Sequence, residues 1–268
     1  MAPAAAGAAH CVRDAWRLIV APFKFDKECM VKRIATALIL MSGSGVALAD
    51  GWSGDVTAGL IMTSGNSETT TSNGKLKLAY VTGPWEHSSY LSFTQARDEE
   101  ETTAERYTAG YKVDFSFTDT DYIYFAADWQ KDLFASVRER TVETVGYGRR
   151  IFNTDAHQLD LEAGVGARQN EYAEPPDSRS DDFVGTAGLD YAWTISPTSK
   201  FTQTLLAEYG ESNTYTESVS QLKLSIIGNL FAALAFTARH NSVVSEGNEK
   251  TDTETSINLS YEFGKANP

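Results

Sequence analysis

Between Tyr107 and Asp132 the chain alternates. Tyr107, Ala109, Tyr111, Val113, Phe115 and Phe117 fall on one parity, and Thr108, Gly110, Lys112, Asp114, Ser116 and Thr118 on the other. Period two over such a length makes a strand with one apolar and one polar face. Asp119-Thr120-Asp121 reads as a turn, after which Ile123, Phe125, Ala127 and Trp129 oppose Tyr124, Ala126, Asp128 and Gln130. The pair forms a hairpin. Strands in soluble domains usually run about five or six residues, whereas about ten tilted residues cross a bilayer. The pattern therefore predicts two staves of a transmembrane barrel.

The same alternation predicts twelve segments, near 52–63, 70–82, 85–96, 105–118, 122–132, 141–152, 157–171, 182–195, 200–210, 217–227, 230–241 and 253–263. No proline interrupts them, as ladder hydrogen bonding requires. Connections alternate between tight turns, such as Gly83-Pro84 and Gly228-Asn229, and longer polar ones, such as Arg97 to Ala104 and Leu133 to Arg140. Short periplasmic turns against longer outer loops belong to outer-membrane barrels, and an even strand number puts both ends on the periplasmic side. Trp52, Tyr80, Trp85, Phe117, Tyr122, Trp193, Phe201 and Phe263 cluster beside the short turns. Phe93, Tyr107, Trp129, Phe183 and Tyr209 cluster beside the long loops. Two aromatic girdles suit two membrane interfaces. A soluble sandwich or lipocalin-like barrel also alternates, but strand length, girdles and the polarity of the opposite face favour the membrane. The predicted fold is all-β, an up-and-down antiparallel transmembrane barrel of twelve strands.

The ends refine this. Met30-Val31-Lys32-Arg33 precedes the apolar run Ile34 to Met41, and Ala47-Leu48-Ala49 precedes Asp50. A basic start, a short apolar run and an A-x-A site read as a secretory signal over 30–49. The run is too short to span a bilayer as a helix; a buried helix is the alternative reading. Residues 1–29 then read as a mis-called extension or a cytoplasmic prolongation of the signal, and 50–268 as the barrel. Both cysteines, Cys11 and Cys29, lie before Asp50, so the secreted part carries no disulfide.

Residues 1–49 hold 6 of the 23 Lys+Arg and 3 of the 36 Asp+Glu, which leaves a net charge of −16 from Asp50 onward. Nucleic acid is a poor partner for such a chain. Arg or Lys facing lipid at mid-depth costs about 2–4 kcal/mol. The strand charges are therefore expected inside: Asp55, Lys75, Lys77, Lys112, Asp114, Asp128, Asp160, Glu162, Arg168, Asp190, Lys223, Arg239 and Glu262. They read either as the lining of a narrow pore or as an ion-pair network that fills the barrel; twelve strands lie between closed and open lumens. The sixth segment is ambiguous in parity, which leaves Arg149 and Arg150 unassigned.

Gly59-Leu60-Ile61-Met62-Thr63-Ser64-Gly65-Asn66-Ser67-Glu68-Thr69, Gly146-Tyr147-Gly148-Arg149-Arg150 and the closing Tyr261-Glu262-Phe263 resemble the YdiY-like family of salt-induced outer-membrane proteins, a domain of unknown function. The resemblance covers roughly 50–264. It implies an outer-membrane barrel related to salt or envelope stress, and it brings no substrate and no catalytic residues. Tyr261 and Phe263 match the terminal aromatic pattern that barrel-assembly machinery reads, although Gly264 to Pro268 come after them.

Outer-membrane lipid, lipopolysaccharide and the assembly machinery are the expected partners, and no cofactor or metal is implied. Two acidic loop runs, Asp98 to Glu101 and Glu171, Glu174, Asp177, Asp181 and Asp182, read as solvated faces, with divalent cations bridging to lipopolysaccharide phosphates as the alternative. His240-Asn241-Ser242 resembles the His-x-Ser step of the outer-membrane phospholipase; its surroundings do not match, and no other hydrolase motif is present. A passive, non-enzymatic role is expected.

Overall fold

The computed structural model describes residues 51–62, 69–98, 101–135, 137–172, 179–244 and 249–264. The predicted signal, the extension before it and the tail after Gly264 lie outside the described residues. Every regular element among those described is a strand: β1 (Trp52–Met62), β2 (Thr69–Thr82), β3 (Trp85–Asp98), β4 (Glu101–Ser116), β5 (Asp121–Asp132), β6 (Val137–Asn153), β7 (His157–Tyr172), β8 (Arg179–Ser196), β9 (Ser199–Gly210), β10 (Thr214–Ile227), β11 (Leu230–Asn241) and β12 (Thr251–Gly264). Each pairs antiparallel with its sequence neighbours, and β12 pairs β1 to close the barrel. Closure leaves no sheet edge, and a strand structure can occupy hydrocarbon only when all its backbone groups are paired.

The strands extend beyond the predicted segments at their long-connection ends. β4 begins at Glu101 rather than near 105, β6 at Val137 rather than near 141, and β10 at Thr214 rather than near 217. β3 and β4 pair as far as Asp98 and Glu101, so most of the connection from Arg97 to Ala104 is ladder. Alternation marks a strand only where its faces meet different media. Beyond the apolar band both faces meet water, and the pattern vanishes while backbone pairing continues. At the opposite end the turns are tight; Gly83 holds a φ of 57° between β2 and β3, a left-handed conformation that glycine adopts without penalty.

Register decides which parity faces in. Asp55, Lys77, Tyr90, Gly110, Asp128, Val142, Arg168 and Asp182 are successive direct partners across β1 to β8. Direct partners share a face. From that face Lys112 on β4 reaches Glu162 on β7, and Lys223 on β10 reaches Asp55 on β1. Contacts between strands three apart are possible only across the inside of a closed sheet. Among the described residues the buried hydrophobic side chains are few and also inward: Tyr122, Tyr124, Val142, Val184, Tyr215 and Ala233.

The other face carries Leu91, Phe125, Val145, Val165, Leu205, Leu234 and Ile257, all exposed. A polar interior inside an exposed apolar band inverts the soluble arrangement and matches a lipid surround. Beside the short turns Trp52 packs at a tilt against Tyr80 (4.9 Å between centroids) and Trp85 against Phe115 (4.7 Å). His157 joins Tyr191 and Trp193 in the same belt. One aromatic assigned to this girdle is elsewhere. Tyr122 is inward and buried, and it donates a hydrogen bond to Glu162; a phenol at a strand end suits either environment, and register places it.

The ambiguous parity of β6 has a local cause. Register shifts between Arg150 and Phe152, with Ile151 the extra residue. A bulge of this kind reverses the facing of the residues beyond it. Before it, Arg150 faces in and donates to Ser116, while Arg149 faces out with a side chain 58% exposed.

Candidate functional site

All thirteen predicted lumen charges share the inward parity, and the fold brings most of them into four clusters. In the first, the Lys223 ammonium donates to Asp55 (2.6 Å) and Glu262 (2.8 Å), and the Ser260 hydroxyl also donates to Asp55. In the second, Lys112 donates to Asp114 (3.2 Å) and closely to Glu162, which also accepts from Tyr122 (2.6 Å). The third lies toward the long connections. Arg168 donates to Asp182 (3.0 Å) and to the Asn213 carbonyl (2.6 Å), and it pairs with Glu208 at 3.5 Å. Arg140 joins Glu208 from β6, and its guanidinium lies 4.3 Å from the Tyr215 ring centroid on β10. In the fourth, Arg239 donates to Glu217 (2.7 Å) and Glu254 (3.3 Å). Asp128 accepts from Tyr90 (2.6 Å).

Charges taken from water need partners that restore their hydrogen bonds, and the clusters provide them from several strands. Arg140 against Tyr215 forms a chord from β6 to β10, with buried Arg168 and Glu208 beside it. The chord narrows that side of the lumen. The remaining members of the predicted set, Lys75, Lys77, Asp160 and Asp190, stay outside these ion pairs. Lys75, Lys77, Asp190, Lys200 and Thr204 all point inward and yet are exposed. Solvent therefore reaches them inside the barrel. Lys77, Asp160, Asp190, Lys200, Lys223 and Glu262 line a cavity of about 280 Å³ at this level.

Several lumen residues escaped the sequence reading. Arg140 lay in a predicted loop, Tyr122 read as an interface aromatic, and Tyr90 carried no assignment. Glu208 and Glu217 were legible from parity, since each alternates with outward neighbours such as Tyr209 and Ser218. Not every strand charge is inward. Glu143 faces out on β6 and accepts from Gln169 at 3.2 Å. It stands one alternation from the Trp129 to Thr141 pair of the outer girdle, where the lipid penalty has largely fallen away.

The remaining candidates disperse. His240 bonds Thr251 (2.9 Å), while the Ser242 hydroxyl accepts from the Thr214 amide and donates to Asn213 (3.1 Å). Of the acidic loops, Glu99, Glu100, Glu174 and Asp177 lie outside the described residues. Asp182 turns inward to Arg168, and Asp181 pairs with Arg179 at 3.5 Å. Among the described residues, no three His, Cys, Asp or Glu side chains converge as metal ligands do.

A closed, even-stranded antiparallel barrel with an apolar outside, aromatic girdles and a charged interior defines the class: a transmembrane β-barrel of the outer-membrane kind. The chain belongs to the family described as "Protein of unknown function, DUF481", whose model matches residues 56–263. It is 31% identical to the "Uncharacterized protein YdiY" of Escherichia coli (strain K12) over 211 residues, 78% of this chain and 82% of the relative. Among solved structures it is similar to the NanC porin (TM-score 0.49, 11% identity, 79% of this chain and 100% of that one). It is similar also to an outer membrane channel from Pseudomonas putida F1 (TM-score 0.49, 11% identity, 82% and 98%).

Proposed function

We propose that this protein is a narrow, passive pore of the bacterial outer membrane for ions or small hydrophilic solutes. The observation that carries the reading is the exposure of Lys75, Lys77, Asp190, Lys200 and Thr204 inside a closed wall. Water at that level gives polar solutes a path that the hydrocarbon outside denies them. The Arg140–Tyr215 chord sets the width toward the long connections. The role is structural and electrostatic rather than catalytic, in keeping with the separate engagements of His240 and Ser242. Lipid, lipopolysaccharide and the assembly machinery are its partners, residues 30–49 are its export signal, and the family resemblance connects it to salt or envelope stress.

A second reading has its own support. Arg168, Glu208, Asp114 and Lys223 are buried, paired charges, and such networks stiffen a barrel whose business lies in its acidic loops. Conductance of the purified protein across a planar bilayer separates the two. Discrete steps, enlarged by Arg140→Ala with Tyr215→Ala, are expected of the pore. A silent bilayer with correctly folded protein would leave only the filled barrel.

A further inference from the structure

The cavity near the short turns has a charge arrangement that the pore reading does not require. Lys77 stands on β2 and Asp190 on β8, six steps apart in a ring of twelve strands and therefore on opposite walls. Each wall carries a second charge of its own sign. Lys75 is one alternation along β2 from Lys77, and Asp160 on β7 is the direct cross-strand partner of Asp190. Among the described residues none of these four is in an ion pair; Asp190 accepts from Thr204 at 2.8 Å, and Lys75 lies 5.1 Å from the Tyr90 ring centroid. Other charges stand near these four: Lys223 is shared between Asp55 and Glu262, Arg150 on β6 is the direct cross-strand partner of Asp160 and pairs with Glu86 at 3.8 Å, and Lys200 lies four residues from Thr204 on β9, toward the short turns.

Like charges placed side by side are held there against their mutual repulsion, and low-dielectric walls focus the resulting field. Here the field runs across the lumen, from the β2 lysines to the β7–β8 aspartates. A simple anion crossing it is drawn to one wall and repelled by the other, and so is a simple cation. A solute with one carboxylate and one ammonium meets a partner on both sides. Liquid water takes about 30 Å³ per molecule, so a cavity of about 280 Å³ admits a small amino acid with part of its hydration.

We propose that this cavity is a transit site for small zwitterions, with the carboxylate toward Lys77 and the ammonium toward Asp190 and Asp160. The assignment rests on the pore reading above. It is tested with the purified protein in liposomes and planar bilayers, using glycine and its uncharged isomer glycolamide as probes. Glycine should enter liposomes about threefold faster, the effect of one or two solvated charge contacts, and the ratio should fall toward one in the Lys77→Gln/Asp190→Asn double variant. In a salt gradient the wild type should show little ion preference. Lys77→Gln should shift the reversal potential toward cations, and Asp190→Asn toward anions. Lys75→Gln and Asp160→Asn repeat the comparison if either first variant fails to fold. Equal entry of the two isomers, or reversal potentials that do not move in opposite directions, would overturn the zwitterion site and leave the pore intact. Absence of both conductance and solute entry in folded wild type would overturn the pore itself and the site with it.

Discussion

Arg168 shows what one residue must do to live inside this wall. Its side chain is 1% exposed, and those of Asp182 and Glu208 are 8% and 4% exposed. Breaking a buried pair from one side leaves the opposite charge unsolvated, at about 3–5 kcal/mol. Arg140 still reaches Glu208, so Arg168→Met is expected to cost about 3 kcal/mol, the low end of that range. A denaturant-unfolding series in micelles measures it, and a change within error of zero would place the partners in water. The lipid side has the converse rule. Leu234 is exposed on the outward face between Ala232 and Phe236. Leu234→Arg should destabilise by about 2–4 kcal/mol in the same assay, whereas at inward-facing Ala235 an arginine meets a hydrated, charged lumen and should cost less.

The strands differ in how firmly they are held. Between β1 and β2 the register runs through eleven pairs, but between β1 and β12 through six, from Ser53–Gly264 to Ala58–Leu259. The closing seam is thus the shortest described ladder, and side chains must compensate. The Phe263 ring lies over Gly54 of β1, where a Cβ would have no room, and Lys223 bonds Asp55 and Glu262 on the two sides of the seam. Phe263→Ala removes the ring cover and the terminal aromatic together. It is expected to lower the fraction of chains that reach the folded barrel, read as the heat-modifiable band in isolated membranes; an unchanged fraction would show that the seam closes without it.

For the whole molecule, closure predicts cooperative resistance. A barrel with every strand paired on both sides has no edge at which detergent can begin to separate it. Unboiled protein in SDS should remain folded and migrate apart from the boiled form, and equal migration would contradict the closed barrel. At this scale the sequence determined a great deal. A period of two, recurring in twelve proline-free segments with short and long connections in turn, admits one architecture once a membrane surrounds it, because only a closed sheet satisfies the backbone there. It also put thirteen strand charges on the inward parity, because lipid and lumen demand opposite side chains at successive positions, but it did not reach Arg140, which read as a loop residue. The strand ends beyond the lipid carry no such contrast, which is why β4, β6 and β10 run longer than their patterns. The bulge at Ile151 left Arg149 and Arg150 undecided until the neighbouring strand fixed their register. What the lumen charges do to one another was decided by the tertiary structure alone. Lys112 meets Glu162, Lys223 meets Asp55, and Arg140 covers Tyr215, while Lys77 faces Asp190 with no ion-pair partner among the described residues. Such relations depend on which strands stand opposite in the closed ring and on how far each side chain reaches across it, and neither distance is written along a single strand.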